Sequence, residues 1–209
     1  LNVLAKRRIP TIYFRRRADS TAKQLFMTFD DAEVGRIAAD HLFARGSSSV
    51  MFVSTTDYLK YDYLRVIHEA RASGCAAAVA ARGENVIFPQ GFIIDLARQR
   101  REQSGKELVS FVKEKRISGL VCLSDDIAAR VLQFLARGGL KVPQDVRVIG
   151  CDNTRMAEFT TPTLSSIDLP KRALGEAMVR SLFHMMESER QDVGEVLLPP
   201  RLVERESTC

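Results

Sequence analysis

The fold of this chain is constrained most by an alternation of short apolar runs with stretches of helical periodicity. Most of the apolar runs are rich in β-branched residues, and three are almost entirely apolar, as strands covered on both faces are. They occupy residues 10–14, 50–53, 120–123 and 146–149. We therefore expect these four runs to form strands.

Between these runs, apolar residues recur at the three- and four-residue spacing of an amphipathic helix. The repeats cover residues 34–42, 108–112, 127–135 and 174–185. Gly46 is placed to end the first helix, and the capping-box pattern at 104–107 predicts the start of the second. His41, His68 and His184 all fall within helical periods and far from strand ends.

Strands and helices in alternation predict an α/β fold with a parallel sheet and right-handed crossovers. Within residues 76–103 the pattern places only one strand, near residues 86–88. After two prolines, residues 201–205 alternate polar and apolar side chains, which predicts an edge strand that closes the sheet.

Composition narrows the class of protein. Apolar residues make up 45% and charged residues 27% of the 209, a soluble globular balance, and no apolar run has the length of a membrane-spanning helix. The formal charge of +5 is too small and too evenly spread to indicate nucleic-acid binding. The four cysteines form no C-x-x-C pair, which favours buried or incidental thiols in a reducing cytoplasm.

Polar side chains follow three of the predicted strands: residues 54–56, 124–126 and 152–153. Ligands of open parallel sheets bind outside the carboxyl ends of the strands. The hydroxyls, carboxylates and amide found here suit hydrogen bonding to a polyol or a purine-like small molecule. The alternative, strongest for residues 124–126 alone, is that these side chains cap helix N-termini.

The sequence offers little for catalysis. No histidine lies where it could serve a Ser-His-Asp arrangement, and neither G-x-G-x-x-G nor a P-loop pattern occurs. The acidic pairs at 30–31 and 125–126 fit the first turn of a helix better than a metal site. We expect no catalytic residue, cofactor or metal. Arg15, which follows a strand, belongs either to a solvated loop or to a site that recognises an acid.

Four motifs resemble the LacI/GalR (lactose-repressor) family of bacterial transcription regulators. GLKVPQDVRVIGCDN at residues 139–153 is similar to the family signature, and TPTLSSI at 161–167 to its P-x-L-T-T-I stretch. PRLVEREST at 200–208 resembles its final strand, and Asp30 with the glycine, alanine and His-Leu pair that follow it resembles a family helix. The resemblance runs over nearly the whole chain.

This resemblance implies a periplasmic-binding-protein-like (type I) sensor with two doubly wound parallel-sheet subdomains and an effector cleft. Residues 1–28 and 168–197 would form part of the N-terminal subdomain, and residues 29–167 and 198–209 the C-terminal one. The start of the N-terminal subdomain and a helix-turn-helix headpiece would lie upstream of this sequence.

The resemblance also implies the effector-binding residues. Asp152 stands where the family's cleft aspartate accepts hydrogen bonds from the effector, and Arg65 resembles an arginine that reaches the effector, although His68-Glu69 replaces the usual Gly-aromatic pair. Ser124 stands at a position that is often Asn, and Asp125 adjoins it. Arg15 stands where many sugar-responsive members carry an acid, which favours an anionic effector such as a uronate or a sugar phosphate.

As a member of this family the protein would bind a carbohydrate or an anionic derivative, bind operator DNA through the headpiece, and form a cytoplasmic homodimer with no membrane contact. The alternative is a periplasmic sugar-binding protein of an ABC transporter, which shares this fold. The free cysteines in apolar runs and the ending of the sequence favour the regulator. An enzyme is a third class, with neither a base nor a cofactor loop to support it.

Overall fold

The computed structural model describes residues 3, 4, 7, 9–15, 24–82, 91–97, 99–188 and 194–209. In chain order its elements are β1 (Ile12–Phe14), β2 (Leu25–Phe29), α1 (Asp31–Ala44), β3 (Val50–Thr55), α2 (Thr56–Lys60), α3 (Asp62–Ala80), β4 (Phe92–Ile94), α4 (Arg101–Lys115), β5 (Gly119–Cys122), α5 (Asp125–Arg137), β6 (Arg147–Cys151), α6 (Met156–Phe159), β7 (Ser165–Asp168), α7 (Lys171–Ser188), β8 (Gly194–Leu198) and β9 (Arg201–Val203).

The chain divides into two compact units, Leu1–Asp30 with Pro170–Pro200 and Asp31–Leu169 with Arg201–Cys209. The chain passes between them after residues 30, 169 and 200. These points lie two or three residues beyond the boundaries expected from the sequence. Asp168 stays in the second unit because it pairs with Arg201, and Phe29 and Leu198 belong to the first unit because they pair with each other. The assignment of the units to sensor subdomains stays a prediction.

The first unit contains a three-stranded parallel sheet, in the order β1-β2-β8, and helix α7. Strand β2 is buried along its whole length. Helix α7 buries Leu174 and Met185, and the other positions of its predicted apolar face are half-buried. The sequence pattern therefore identified the inward face of this helix.

The second unit contains a six-stranded sheet in the order β4-β3-β5-β6-β7-β9. Its first five strands are parallel, and β9 pairs antiparallel with β7 at one edge. Strands β3 and β5 are buried at every residue, as the central strands of a doubly wound sheet are. The α/β class, the four strands and the closing edge strand predicted from the sequence are confirmed.

One local prediction differs from the structure, and another lies outside the described residues. Helix α4 begins at Arg101, so the capping-box pattern at 104–107 lies inside it, and the Ser104 hydroxyl accepts a hydrogen bond from the backbone N–H of Asp95 at 3.1 Å. The predicted strand near residues 86–88 lies outside the described residues, and the strand described in this part of the chain is β4, at Phe92–Ile94.

Helices α1 and α3 are in backbone contact, and two glycines permit this. A Cβ atom on Gly35 would lie 1.9 Å from the carbonyl oxygen of Arg71, and one on Gly74 would lie 1.8 Å from that of Ala32. Because backbone atoms cannot move aside as a flexible side chain can, any larger residue at either position separates the helices.

The C-terminal segment is folded into the second unit through its hydroxyl groups. Ser207 and Thr208 have no exposed surface. The Ser207 hydroxyl donates to the carbonyl of Val148 at 2.6 Å, and Thr208 Oγ1 lies 2.8 Å from Nε2 of His41 and 2.6 Å from the hydroxyl of Ser165. These bonds satisfy polar groups that would otherwise be buried at a cost of about 1–3 kcal/mol each.

We predict that Gly74→Ala lowers the free energy of unfolding by at least about 2 kcal/mol, because the new methyl group meets the Ala32 carbonyl. Gly175→Ala is the matched control, since a Cβ atom on this glycine of α7 meets open space. We expect the control to be neutral or to gain up to about 1 kcal/mol. Urea unfolding followed by circular dichroism measures both, as the chain has no tryptophan. Equal stability of the two variants would contradict the helix contact.

A second prediction concerns pH. Burial lowers the pKa of His41 below its ordinary value of 6.5; the Glu204 carboxylate opposes the shift and Arg45 adds to it. The unfolded chain therefore takes up the proton first, and the stability that neutral His41 contributes is present above pH 6.5 and declines as the pH falls below it.

Unfolding free energies measured from about pH 7.5 to about pH 5.5 should fall more steeply for the wild type than for His41→Gln. The pKa of His68 is also lowered by burial, but this group is present in both proteins and cancels in the comparison. Parallel curves for the two proteins would refute the assignment to His41.

Candidate functional site

The carboxyl ends of β3, β5 and β6 meet at one edge of the six-stranded sheet, because these strands are parallel neighbours. Polar residues follow each strand there, as the sequence predicted: Thr55 ends β3, Ser124 follows β5 and Asp152 follows β6. The structure therefore brings together polar groups that lie about 30 to 100 residues apart in the chain.

The loop after β6 has a strained backbone. Asp152 and Asn153 both have left-handed conformations, with φ values of 99° and 43°. Two bonds to β7 hold them: the N–H of Asp152 donates to the Ile167 carbonyl at 2.9 Å, and that of Asn153 to the Ser166 hydroxyl at 3.0 Å. Such conformations cost about 1–3 kcal/mol each and are found preferentially at functional sites.

A buried arginine lies behind this loop. Arg71 of α3 is 2% exposed. Its Nε donates to Asp31 at 2.9 Å, its Nη1 to the carbonyl of Leu123 at 2.6 Å, and its Nη2 to Oδ1 of Asp152 at 3.4 Å. The guanidinium therefore joins the first turn of α1, the end of β5 and the loop after β6, and it orients the Asp152 carboxylate.

Tyr58 and Ser124 complete one side of the site. Tyr58 belongs to α2, directly after β3, and Ser124 follows β5, so both residues lie at the same edge of the sheet. Burial raises the pKa of the Tyr58 phenol, and the neighbouring Asp152 carboxylate adds to the shift, so the phenol stays protonated at neutral pH. Tyr58 was not identified from the sequence, which pointed only to residues 54–56 after this strand.

The side chain of His68 lies near the end of β3, in contact with Ser54. The sequence-based prediction that the histidines lie far from strand ends is therefore wrong for His68. Its Nδ1 is 2.9 Å from the Ser54 hydroxyl, and its ring packs edge-on against Phe52 with centroids 5.6 Å apart. Burial lowers the pKa of His68, with Glu69 opposing the shift. The neutral imidazole can both donate and accept a hydrogen bond.

Asp125 takes part in the site indirectly. It has no exposed surface, and its carboxylate accepts bonds from the N–H and hydroxyl of Thr154, at 2.6 and 3.0 Å, and from the Ser166 hydroxyl at 2.6 Å. Burial raises the pKa of Asp125, and these bonds lower it. The structure places Asp125 beneath the loop that carries Asp152, where it fixes the loop instead of facing a ligand.

Helix capping was the alternative role predicted for residues 124–126, and only part of that prediction agrees with the structure. Ser124 occupies the position before α5, but its side chain makes no capping bond to the helix backbone. Asp126, in the first turn of the same helix, is 58% exposed and lies 3.4 Å from Nε of Arg130. Asp126 therefore fits the expected interaction with the helix dipole, whereas the Ser124 side chain does not cap the helix.

Arg65 lies apart from this cluster. Its side chain is 51% exposed, and it pairs on the surface of α3 with Asp62 at 2.8 Å and Glu69 at 3.8 Å. The arginine of α3 that contacts Asp152 is instead Arg71, six residues further along the helix, and the expected contact of Arg65 with an effector stays a prediction. The overlooked signal for Arg71 was its place among the buried positions of the helix, since an arginine on an apolar face requires an acidic partner.

Arg15 belongs to the first unit. Its backbone is left-handed, with φ of 63°, and its N–H donates to the Met27 carbonyl at 3.2 Å. The guanidinium lies 5.2 Å from the ring centroid of Phe14 and 6.0 Å from that of Phe29, a cation–π arrangement. Its expected contact with an effector stays a prediction.

The described part of the chain shows neither a group of three or more His, Cys, Asp or Glu side chains placed to hold a metal ion nor a helix long and apolar enough to span a membrane. The site consists of a carboxylate, a guanidinium, two hydroxyls and an imidazole. These groups are suited to hydrogen bonding with a small polar molecule.

We predict that Arg71→Met lowers the free energy of unfolding by about 3–5 kcal/mol, because it removes the cation from beside two buried or half-buried carboxylates. Arg65→Met is the matched control on the same helix and should change stability by less than about 0.5 kcal/mol. Chemical unfolding of both variants tests this. Similar losses in the two would show that Arg71 has no special structural role.

Comparison with known proteins identifies relatives. The family described as "Periplasmic binding protein-like domain" matches residues 39–208. The arabinose metabolism transcriptional repressor of Geobacillus stearothermophilus is 26% identical over 185 residues, which cover 86% of this chain and 48% of the repressor. The HTH-type transcriptional repressor PurR of Salmonella arizonae is 41% identical over 94 residues, 45% of this chain and 28% of PurR. The chain thus spans about half the length of the arabinose repressor, and its match to PurR spans less than a third of that protein.

Solved structures agree on the fold. A LacI family transcriptional regulator from Enterococcus faecalis V583 with bound ribose has a TM-score of 0.76 and 25% identity, covering 99% of this chain and 71% of the regulator. A periplasmic binding protein/LacI transcriptional regulator from Alkaliphilus metalliredigens QYMF, complexed with D-xylulofuranose, has a TM-score of 0.73 and 22% identity, with coverage of 100% and 81%. The chain belongs to the periplasmic binding protein-like domain family, and it is similar to transcriptional repressors and to LacI family transcriptional regulators of the same fold.

Proposed function

We propose that this chain is the effector-binding part of a transcriptional regulator and that the effector binds at Asp152. The observation that carries the proposal is the pairing of Asp152, in a strained loop at the carboxyl edge of the sheet, with the buried Arg71. The Asp152 side chain is 26% exposed, so its carboxylate is accessible as well as oriented. A carboxylate fixed in this way accepts hydrogen bonds from a ligand without further ordering of its own side chain.

The ligand class that fits these groups is a carbohydrate or a related metabolite with several hydroxyl donors. Charge-assisted bonds from ligand hydroxyls to Asp152 would contribute about 1.5–3 kcal/mol each. Tyr58, Ser124 and His68 add groups that donate or accept at the same edge. Two relatives of this fold contain sugars, ribose and D-xylulofuranose, which supports this class. An anionic derivative is the form that Arg15 would favour.

Regulation would follow from a difference in effector affinity between two conformations of the whole protein. A ligand that binds one conformation better shifts the population towards it by no more than that difference. In the full-length regulator this shift would change the affinity of a DNA-binding headpiece for its operator. A homodimer would present two headpieces to half-sites about one helical turn apart.

Two other classes fit less well. A periplasmic binding protein of a transporter shares the fold, but the curated relatives described above are repressors. Three of the four cysteines are buried free thiols, which favours a reducing cytoplasm.

An enzyme would need an accessible nucleophile. Thr208, His41 and Glu204 have the order of a nucleophile, a base and an acid, with Thr208 Oγ1 2.8 Å from Nε2 and Glu204 3.6 Å from Nδ1 of the ring. Thr208, however, has no exposed surface, so a substrate could not reach it. We therefore interpret this arrangement as part of the hydrogen bonding that holds the C-terminal segment in the second unit.

A ligand screen tests the proposal. The chain is heated with pentoses, hexoses, uronates, sugar phosphates and purines, and a true effector at a hundredfold its Kd should add about 2.7 kcal/mol of stability. Asp152→Asn, which keeps the shape of the side chain, should then weaken binding of the identified compound by about tenfold to a hundredfold in calorimetry. Asp126→Asn, on the exposed start of α5, is the control and should leave the affinity unchanged.

Two outcomes would overturn the proposal. One is that no compound in the panel stabilises the chain. The other is that the identified compound binds Asp152→Asn with wild-type affinity, which would place the effector elsewhere.

A further inference from the structure

Two of the three connections between the units leave and enter the second unit side by side. Strand β7 ends at Asp168, two residues before the chain passes to the first unit, and Arg201 is the first residue after its return. These residues are direct partners in the antiparallel pairing of β7 with β9. Nε of Arg201 also donates to Oδ2 of Asp168 at 2.8 Å.

Asn153, the residue after Asp152, is bonded to the same carboxylate. Its Nδ2 donates to Oδ1 of Asp168 at 3.2 Å, and its Oδ1 accepts a bond from Nη2 of Arg205 at 2.9 Å. The Asp168 carboxylate thus uses one oxygen for the loop and the other for β9. The Asp168 side chain is 16% exposed and that of Arg201 is 77% exposed, so the bond from Asn153 is the better protected of the two.

We propose that Asn153 and Asp168 form a relay that couples the loop at Asp152 to these two connections. The inference rests on the proposed function, since it gives the relay an effector at Asp152 to respond to. Asp152 and Asn153 are adjacent left-handed residues, so a change in the backbone of one displaces the other. Displacement of the Asn153 amide strengthens or weakens its hydrogen bond to Asp168. The resulting shift of the Asp168 carboxylate changes its hydrogen bond with Arg201.

Exchanging the amide of residue 153 with the carboxylate of residue 168 tests the relay. Asn153→Asp removes the donor to Asp168 but still offers an acceptor to Arg205, and Asp tolerates the left-handed backbone as Asn does. In the double variant Asn153→Asp/Asp168→Asn, the new amide donates to residue 153 and still presents an oxygen to Arg201. The bond is thereby restored with its direction reversed.

The experiment is hydrogen–deuterium exchange with mass spectrometry on the ligand-free chain. In Asn153→Asp, amides of peptides that contain residues 201–203 should lose about tenfold in protection, the equivalent of one lost hydrogen bond. The double variant should regain most of that protection. Thr163→Val is the matched control, because it loses a side-chain bond to Glu206 that also joins the β7 side to the C-terminal segment but bypasses Asn153.

Asp168→Ala provides a second measurement should Asn153→Asp fail to fold. This variant should increase exchange both at residues 201–203 and in the loop at 152–154, whereas Thr163→Val should change neither. A loop unaffected by Asp168→Ala, or a double variant whose losses simply add, would overturn the relay. Because no ligand is present, these results are independent of the effector screen, whose failure would overturn only the proposed function.

Discussion

The guanidinium of Arg71 is almost completely buried, and three groups of the second unit form hydrogen bonds with it. Removing such a charge from solvent costs several kcal/mol, which the carboxylates of Asp31 and Asp152 and the carbonyl of Leu123 offset only if all three hold their positions. The backbone contact of α1 with α3 at Gly74 sets the distance between the arginine and Asp31. Helix packing, the end of β5 and the loop after β6 therefore depend on one another through a single side chain.

Helix α1 connects this cluster with a second buried polar network. Asp31 in its first turn binds Arg71, and His41 near its last turn contacts Thr208 in the C-terminal segment. Both networks bury polar groups, and such groups stabilise a fold only when nearly all of their bonds are made. In the part of the chain that the structure describes, only Thr28 Oγ1 and Arg147 Nε are buried side-chain atoms without a partner, and neither belongs to these networks.

The residues of the proposed effector site also have structural roles. Asp152 completes the surroundings of Arg71 and also presents its exposed carboxylate edge to solvent, while Asn153 links the loop to Asp168. Structural and ligand-binding roles thus share one strained loop. The proposed relay would give a ligand at Asp152 a short path of hydrogen bonds to the connections between the units, through which its binding energy could act beyond its own site.

The sequence by itself determined the α/β class, five of the strands (β1, β3, β5, β6 and β9), the inward face of α7 and the edge at which the candidate site lies, because periodicity and the order of elements are local properties. The sequence motifs also identified the family and placed Asp152. Tertiary structure decided the start of α4 and the roles of Asp125, Tyr58 and Arg71. Each of these depends on groups distant in the chain, such as the Asp31 carboxylate that makes Arg71, and not Arg65, the buried arginine. Spacing along a helix shows which face a residue occupies, but only the packed neighbours show whether a charge on that face has a partner.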